Sequence, residues 1–148
     1  MCPNTRHYPK YPHIGVGILL IRKNSLLLVK RKYNPDAGYW SIPGGHVELG
    51  EKVRNAAERE GFEETGFKVR VTKLAGIIDK IIYDNKGKIE YHYVLINYFV
   101  EQIEGDPNQQ PVPDTDALEA KFVKFEDLQS YKLTESLIEL LDQLKIGF

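Results

Sequence analysis

Glu60, Glu63 and Glu64 are the residues whose types and spacing most clearly suit chemistry. In a helix, at roughly 100° per residue, the three carboxylates fall within an arc of about 100° and share one face. Like charges so placed repel: at about 5 Å and an effective dielectric near 20, the repulsion is roughly 3 kcal/mol. Arg59 stands four residues before Glu63 and can pair with it, yet one guanidinium does not neutralise three carboxylates. A hard divalent cation with oxygen ligands, Mg²⁺ or Mn²⁺, is the natural complement. Gly44 and Gly45, just ahead of the helix, let the backbone come close, and a free carbonyl there would add another oxygen ligand. The helix N-terminus adds a dipole that favours phosphate. A carboxylate triplet by itself is more often a solvated acidic helix face, so its neighbours decide its meaning.

The elements that position these residues follow from periodicity and turn chemistry. Ile14 to Ile21 and Leu26 to Arg31 are β-rich runs, joined through Arg22-Lys23-Asn24-Ser25 as an antiparallel hairpin. A loop, Asn34 to Gly38, leads to a short strand over Tyr39 to Ile42 and then to Pro43-Gly44-Gly45. Glu51 to Glu64 is the strongest helix, with Val53, Ala56, Ala57 and Gly61 on its inward stripe and Thr65-Gly66 as the stop. Phe67 to Leu74, Ala75 to Tyr83 and Ile89 to Glu101 are expected as strands, the last two turning at Asp84 to Lys88. A Pro-rich loop over 102–116 is long enough to be functional rather than a mere connector. Ala120 to Phe125 is a strand, and Thr134 to Ile146 a closing amphipathic helix. Strands and helices interleaved in this way make a mixed sheet flanked by helices.

Gly45, five residues, Glu51, seven residues, then Arg59-Glu60-Gly61-Phe62-Glu63-Glu64-Thr65-Gly66-Phe67 resembles the Nudix box over its full 23 residues. One position departs: Gly61 stands where the family usually has an aliphatic residue, at a cost of about 1 kcal/mol relative to Ala in a helix interior. The resemblance implies a Nudix fold, an α/β/α sandwich. It also implies metal binding by Glu60, Glu63 and Glu64 with the Gly44 carbonyl, orientation of Glu63 by Arg59, and a supporting role for Glu51. The implied reaction is hydrolysis of a phosphoanhydride bond in a nucleoside diphosphate derivative by water that the metal activates. A general base outside the box would come from Asp114 to Glu119, with Glu119 favoured.

Flanking stretches around Trp40 and Tyr91-His92-Tyr93-Val94 resemble the branch that holds MutT-type nucleotide pyrophosphohydrolases and ADP-ribose pyrophosphatases. One subgroup of ADP-ribose enzymes carries a Pro downstream of the box where this chain has Ile82. Tyr83 falls where dinucleoside polyphosphate enzymes often have Tyr. Substrate-binding candidates are therefore Arg31, suited to a bidentate phosphate grip, Trp40 for base stacking, His46, Tyr83 and His92. Each has an ordinary structural alternative: core packing for Trp40, a satisfied histidine for His46 and His92, and solvation for Arg31. The expected substrate is a nucleoside triphosphate or ADP-ribose, cut to a nucleoside monophosphate and the phosphorylated remainder. A dinucleoside polyphosphate hydrolase and a non-catalytic nucleotide-binding module are the competing readings.

Length fits one domain over residues 13–148 preceded by a surface arm over 1–12, which carries three Pro and no apolar periodicity. With 20 basic and 21 acidic side chains there is no broad positive field, so nucleic acid and membrane surfaces are not expected partners and phosphate must be gripped locally. Cys2 stands alone, which excludes an internal disulfide framework. The longest apolar run, Ile14 to Ile21, is far short of a membrane span, and the first residues lack a secretory apolar stretch, so a cytoplasmic location is expected. Ile89 to Glu101 as a long edge strand would suit a homodimer.

Overall fold

In a computed structural model, residues 6–146 are described. Strand β1 (His13–Arg22) turns at Lys23, whose φ of 55° is left-handed, into β2 (Ser25–Arg31). The two strands pair only at Ile21 with Leu26 and Arg22 with Ser25, then splay apart. From there β1 runs parallel to β6 (Ile89–Gln102) and antiparallel to β4 (Gly44–His46), while β2 pairs with β3 (Trp40–Ser41) and β7 (Ala117–Lys124). Strand β5 (Val69–Tyr83) closes the far side against β6. Helix α1 (Val53–Thr65) covers one face, and helix α2 (Glu135–Gln143), after a 3₁₀ turn over Phe125–Ser130, covers the other.

The unbroken apolar run in β1 is explained by these two layers. Val16, Ile18 and Leu20 pack with Ala56, Ala57 and Phe67 beneath α1, whereas Leu19 packs with Leu137, Leu140 and Leu141 of α2. Strand β2 divides in the same way, with Leu27 on the α1 side and Leu26 and Leu28 on the α2 side. A strand covered on both faces shows no polar alternation. The expected mixed sheet between helices is the observed architecture, an α/β/α sandwich.

Helix α1 presents small residues, Ala56, Ala57, Gly61 and Thr65, to the sheet. A Cβ on Gly61 would lie 2.7 Å from Ile18 Cδ1, so the volume an aliphatic residue would fill is already taken by Ile18. Gly66, with φ of 80°, ends the helix and its N–H donates to the Phe62 carbonyl at 2.8 Å. The helix begins at Val53 rather than Glu51, because Glu51 is held in the preceding turn by its N–H bond to the Glu48 carbonyl.

Two expectations about strands are corrected. Phe67 to Leu74 and Ala75 to Tyr83 are one strand, β5, whose bends come from register shifts at Val71/Lys73 and Leu74/Gly76 rather than from a break. Ile89 to Glu101 is not an edge: β6 lies between β1 and β5, so the argument for a homodimer from its exposed edge lapses. The 84–88 turn is as expected, with Asp84 Oδ1 accepting from the N–H groups of Lys86 and Lys88 at 2.9 Å each. No helix among the described residues is long and apolar enough to cross a membrane.

Candidate active site

Strand β4 is wedged between β1 and α1, and two helix carboxylates tie it down. Glu64 Oε2 accepts from the Gly44 N–H at 3.0 Å, and Glu60 Oε2 accepts from the His46 N–H at 2.8 Å. Arg59 joins the rest. Its Nε and Nη2 form a fork onto Glu51 at 2.8 and 2.9 Å, Nη1 reaches Glu60 and Glu63 at 3.0 and 3.1 Å, and Nη2 also donates to the His46 carbonyl at 2.9 Å. Arg59 bonds Glu63 once, and its bidentate partner is Glu51.

Burial and partners set the protonation states. The Arg59 fork, helped by the Glu48 backbone, holds the Glu51 carboxyl down at about 2. Burial pushes Glu60 up to about 7, reinforced by its hydrogen bond with Glu63 and opposed by the His46 N–H and Arg59. Burial likewise raises Glu64 to about 8, against the Gly44 N–H, with the charges of Asp114 and Glu60 adding to the rise. Burial lowers His46 to about 3, so its imidazole is neutral at physiological pH. Two crowded carboxylates that resist losing their protons make a site that gains from a bound cation.

A cavity of about 590 Å³ opens over this cluster. Of the residues singled out in the sequence, it brings together Gly44, Arg59, Glu60, Glu63, Glu64, Arg31 and His46. The others stand elsewhere. Trp40 is 7% exposed in the core, edge-on to Tyr131 at 5.3 Å, and does not line the cavity. Tyr83, 59% exposed, sits at the hairpin end of β5. His92 lies outside the lining because β6 alternates: Tyr93, Leu95 and Asn97 face the cavity, and His92 faces away. Glu119 is exposed on β7, with its carboxylate 3.4 Å from Lys121 Nζ. The loop carboxylates that do line the cavity are Asp114 and Asp116.

That loop is held by specific contacts. The Val112 N–H donates to the Thr65 carbonyl at 2.9 Å, Gln109 Nε2 to the Gly66 carbonyl at 3.2 Å, and Arg22 Nη1 to the Gln109 carbonyl at 2.8 Å. It is clasped to the C-terminal end of α1, next to Glu64. Residues not singled out beforehand also line the cavity: Lys80, Asn97, Tyr93, Ser136 and Arg6. Lys80 carried a signal, since it shares a strand face with Ile78 at a spacing of two. It is largely buried and paired with Asp36.

Among the described residues no group of three His, Cys, Asp or Glu side chains already encloses a metal site. Glu60 and Glu63 both bond Arg59 Nη1. The donor set nevertheless fits a hard cation, since it offers only carboxylate oxygens, two of them raised by crowding and burial. Binding there requires Glu63, which is 53% exposed, to rotate away from Arg59. A pH dependence follows. Because Glu60 and Glu64 have folded-state values above their ordinary 4.5, the metal-free fold keeps protons that the unfolded chain has released. The stability they contribute is present below pH 4.5 and is lost as pH rises through 7 to 8. Calorimetry in a chelator is expected to show Tm falling on the order of 10 °C between about pH 5 and pH 8.5, and millimolar Mg²⁺ should remove most of the fall. A flat profile in chelator would contradict this account.

The NUDIX domain model matches residues 11–144, and the chain belongs to the Nudix family. An ADP-ribose pyrophosphatase of Methanocaldococcus jannaschii is 35% identical over 118 residues, which cover 80% of this chain and 65% of that protein. A MutT-like protein of Streptomyces ambofaciens is 35% identical over 75 residues, covering 51% of this chain and 47% of that one. The chain thus spans less than two thirds of the length of these relatives. The crystal structure of a MutT NUDIX hydrolase from Burkholderia pseudomallei superposes with a TM-score of 0.75 at 29% identity, covering 91% of this chain and 99% of the other.

Proposed function

We propose that this chain is a metal-dependent hydrolase that cuts the phosphoanhydride bond of a nucleoside diphosphate derivative, either ADP-ribose or a nucleoside triphosphate. The observation that carries this reading is the convergence of Glu60, Glu63 and Glu64 with Arg59 and Gly44 on one cavity. ADP-ribose is supported by the name of the Methanocaldococcus relative. Glu60, Glu63, Glu64 and the Gly44 carbonyl would hold Mg²⁺ or Mn²⁺, which supplies neutralisation of the diphosphate and activation of water. Arg59 positions Glu60 through its Nη1 bond and releases Glu63 when the cation binds. Asp114, close enough to Glu64 to raise it, replaces Glu119 as the carboxylate that accepts the proton of the attacking water. Arg31, whose Nε donates to the Pro35 carbonyl at 2.8 Å, turns its guanidinium into the cavity lining as a phosphate contact.

The test is a panel of ADP-ribose, nucleoside triphosphates including oxidised ones, and dinucleoside polyphosphates. Each is offered with Mg²⁺, Mn²⁺ or chelator in ¹⁸O-labelled water, and the products are resolved by mass. Cleavage of one substrate only with metal, with the label in one phosphate product, is the expected result. Cleavage confined to dinucleoside polyphosphates would change the substrate class. Nucleotide binding without cleavage would make the chain a binding module.

A further inference from the structure

We propose that Asn97 is a specificity-determining residue whose Oδ1 accepts a hydrogen bond from the sugar or base of the substrate. The site thereby selects ligands that carry an N–H or O–H donor beside the diphosphate. Among the described residues the buried polar ones are Thr65, Asn97 and Thr134. The two threonines have structural work: Thr65 Oγ1 donates to the Gly61 carbonyl at 2.6 Å, and Thr134 Oγ1 caps α2 by accepting from the Leu137 N–H at 3.3 Å. Asn97, 5% exposed, is only half used. Its Nδ2 donates to the Gly76 and Leu95 carbonyls at 3.3 Å each, and its Oδ1 accepts from no described group.

Two carbonyl oxygens at one end of the amide fix its orientation, because only the NH₂ end can meet them. The oxygen therefore lies at the other end, above Gly17, where a Cβ would stand 2.4 Å from it. Asn97 lines the cavity, whose walls near it are the apolar Ile42, Leu95, Leu137 and Leu140. A leucine at position 97 would continue those walls without burying an amide, so the polar group needs a partner to offset its desolvation. One placed acceptor in an apolar wall is the arrangement that fixes a ligand's orientation.

Strand register places this acceptor with respect to the carboxylates. Gly44 of β4 pairs with Gly17 of β1, Gly17 with Asn97 of β6, and Asn97 with Gly76 of β5. The four residues are one row across the sheet, and Asn97 stands two strand spacings, about 10 Å, from Gly44. Its row neighbours are all glycine, so no side chain beside it competes for the space above the row. Gly15, the other cavity-facing position of β1, extends this bare floor toward His46, with which it pairs. A diphosphate held at Gly44 and Glu64 leaves its attached sugar or base over Gly17, within reach of Asn97 Oδ1.

The ligand's class rests on the hydrolase reading above. The test uses ADP-ribose and ATP, each beside analogues that lack one donor: the purine amino group, or a single ribose hydroxyl. Steady-state kinetics and calorimetric titration with Mg²⁺ compare the unaltered protein with Asn97→Leu and with Gly17→Ala, whose Cβ would push Oδ1 aside. In the unaltered protein one analogue is expected to lose about 10- to 100-fold in kcat/KM, the range for an acceptor left without its donor. Loss with the amino group missing names the base as the donor, and loss with a hydroxyl missing names the sugar. In Asn97→Leu and Gly17→Ala that discrimination should shrink to within about 3-fold, because the parent substrate falls to the level of the analogue. A purely structural Asn97 would instead weaken parent and analogue alike and leave their ratio unchanged, which overturns the proposal. Equal use of all analogues by the unaltered protein overturns it even if neither variant folds. If nothing is cut but binding shows the same donor dependence, lost in Asn97→Leu, the hydrolase reading fails and the Asn97 contact stands. Absence of both cleavage and binding overturns both.

Discussion

Glu60→Gln is expected to lower kcat by about three orders of magnitude while leaving the protein folded. Loss of one carboxylate from the proposed metal site removes several kcal/mol of charge stabilisation at the transition state, and each ~1.4 kcal/mol is tenfold in rate. The fold should tolerate the change because the group is close to neutral already: burial holds the Glu60 carboxyl up at about 7. The Gln carbonyl can still accept from the His46 N–H, but the new amide faces Arg59 Nη1, donor against donor. At pH 6 this should cost about 1 kcal/mol, the scale of one lost hydrogen bond. At pH 8.5 the sign should reverse, since the variant no longer carries a charge that the metal-free fold disfavours. The measurements are kcat across a Mg²⁺ titration and Tm against pH in chelator. Activity within about tenfold of the unaltered protein at saturating Mg²⁺ would remove Glu60 from the metal site.

How far the sequence foretells this arrangement depends on what each feature rests upon. The carboxylate face of α1 was legible because i, i+3 and i+4 spacing is local, and the Gly66 stop was legible because a left-handed cap favours glycine. The flanking layers were legible in the interleaving of strands and helices, and the unbroken apolar runs of β1 and β2 match their burial on both faces. Pairing order was not local: β6 is interior because β1 runs parallel to it, which no turn signal reveals. The same holds for the cavity walls. Glu119 and Asp114 are both carboxylates and five residues apart, and what separates them is the clasp of Val112 and Gln109 to the end of α1. Trp40 was open to two readings, and the choice for the core rests on a contact with Tyr131, ninety-one positions away. Arg6 was missed because nothing in a Pro-rich arm shows that Tyr8 will bond Asp84 and Glu90 at the β5–β6 turn.

Gly45→Ala should reproduce the activity loss of Glu60→Gln without touching a carboxylate. A Cβ at position 45 would lie 1.2 Å from Glu60 Oε2 and 2.1 Å from Glu60 Cδ, so Glu60 must leave its place. The obstructed atoms are the end of a side chain, which can swing, and the backbone can therefore survive the substitution. Swinging breaks the His46 N–H bond and the Arg59 contact and leaves a part-buried N–H without its acceptor. That costs about 1–3 kcal/mol, or a few degrees to about 10 °C in Tm. Activity should fall about 1,000-fold, since in the proposed metal site a displaced carboxylate is as absent as a neutral one. The neighbouring glycines separate this effect from simple crowding. A Cβ on Gly44 would stand 2.0 Å from the Val16 carbonyl oxygen, which is backbone in β1, so Gly44→Ala should disrupt the β1–β4 pairing and the fold with it. At Gly61 the Cβ would stand 2.7 Å from Cδ1 of the buried Ile18, a side-chain end rather than backbone, and the roughly 1 kcal/mol gain in helix propensity offsets part of the crowding, so Gly61→Ala should be milder than Gly44→Ala. If Gly45 acts through Glu60, the Gly45→Ala, Glu60→Gln double variant loses no more activity than either single one. Losses that multiply instead would mean that Gly45 serves the reaction by a separate route.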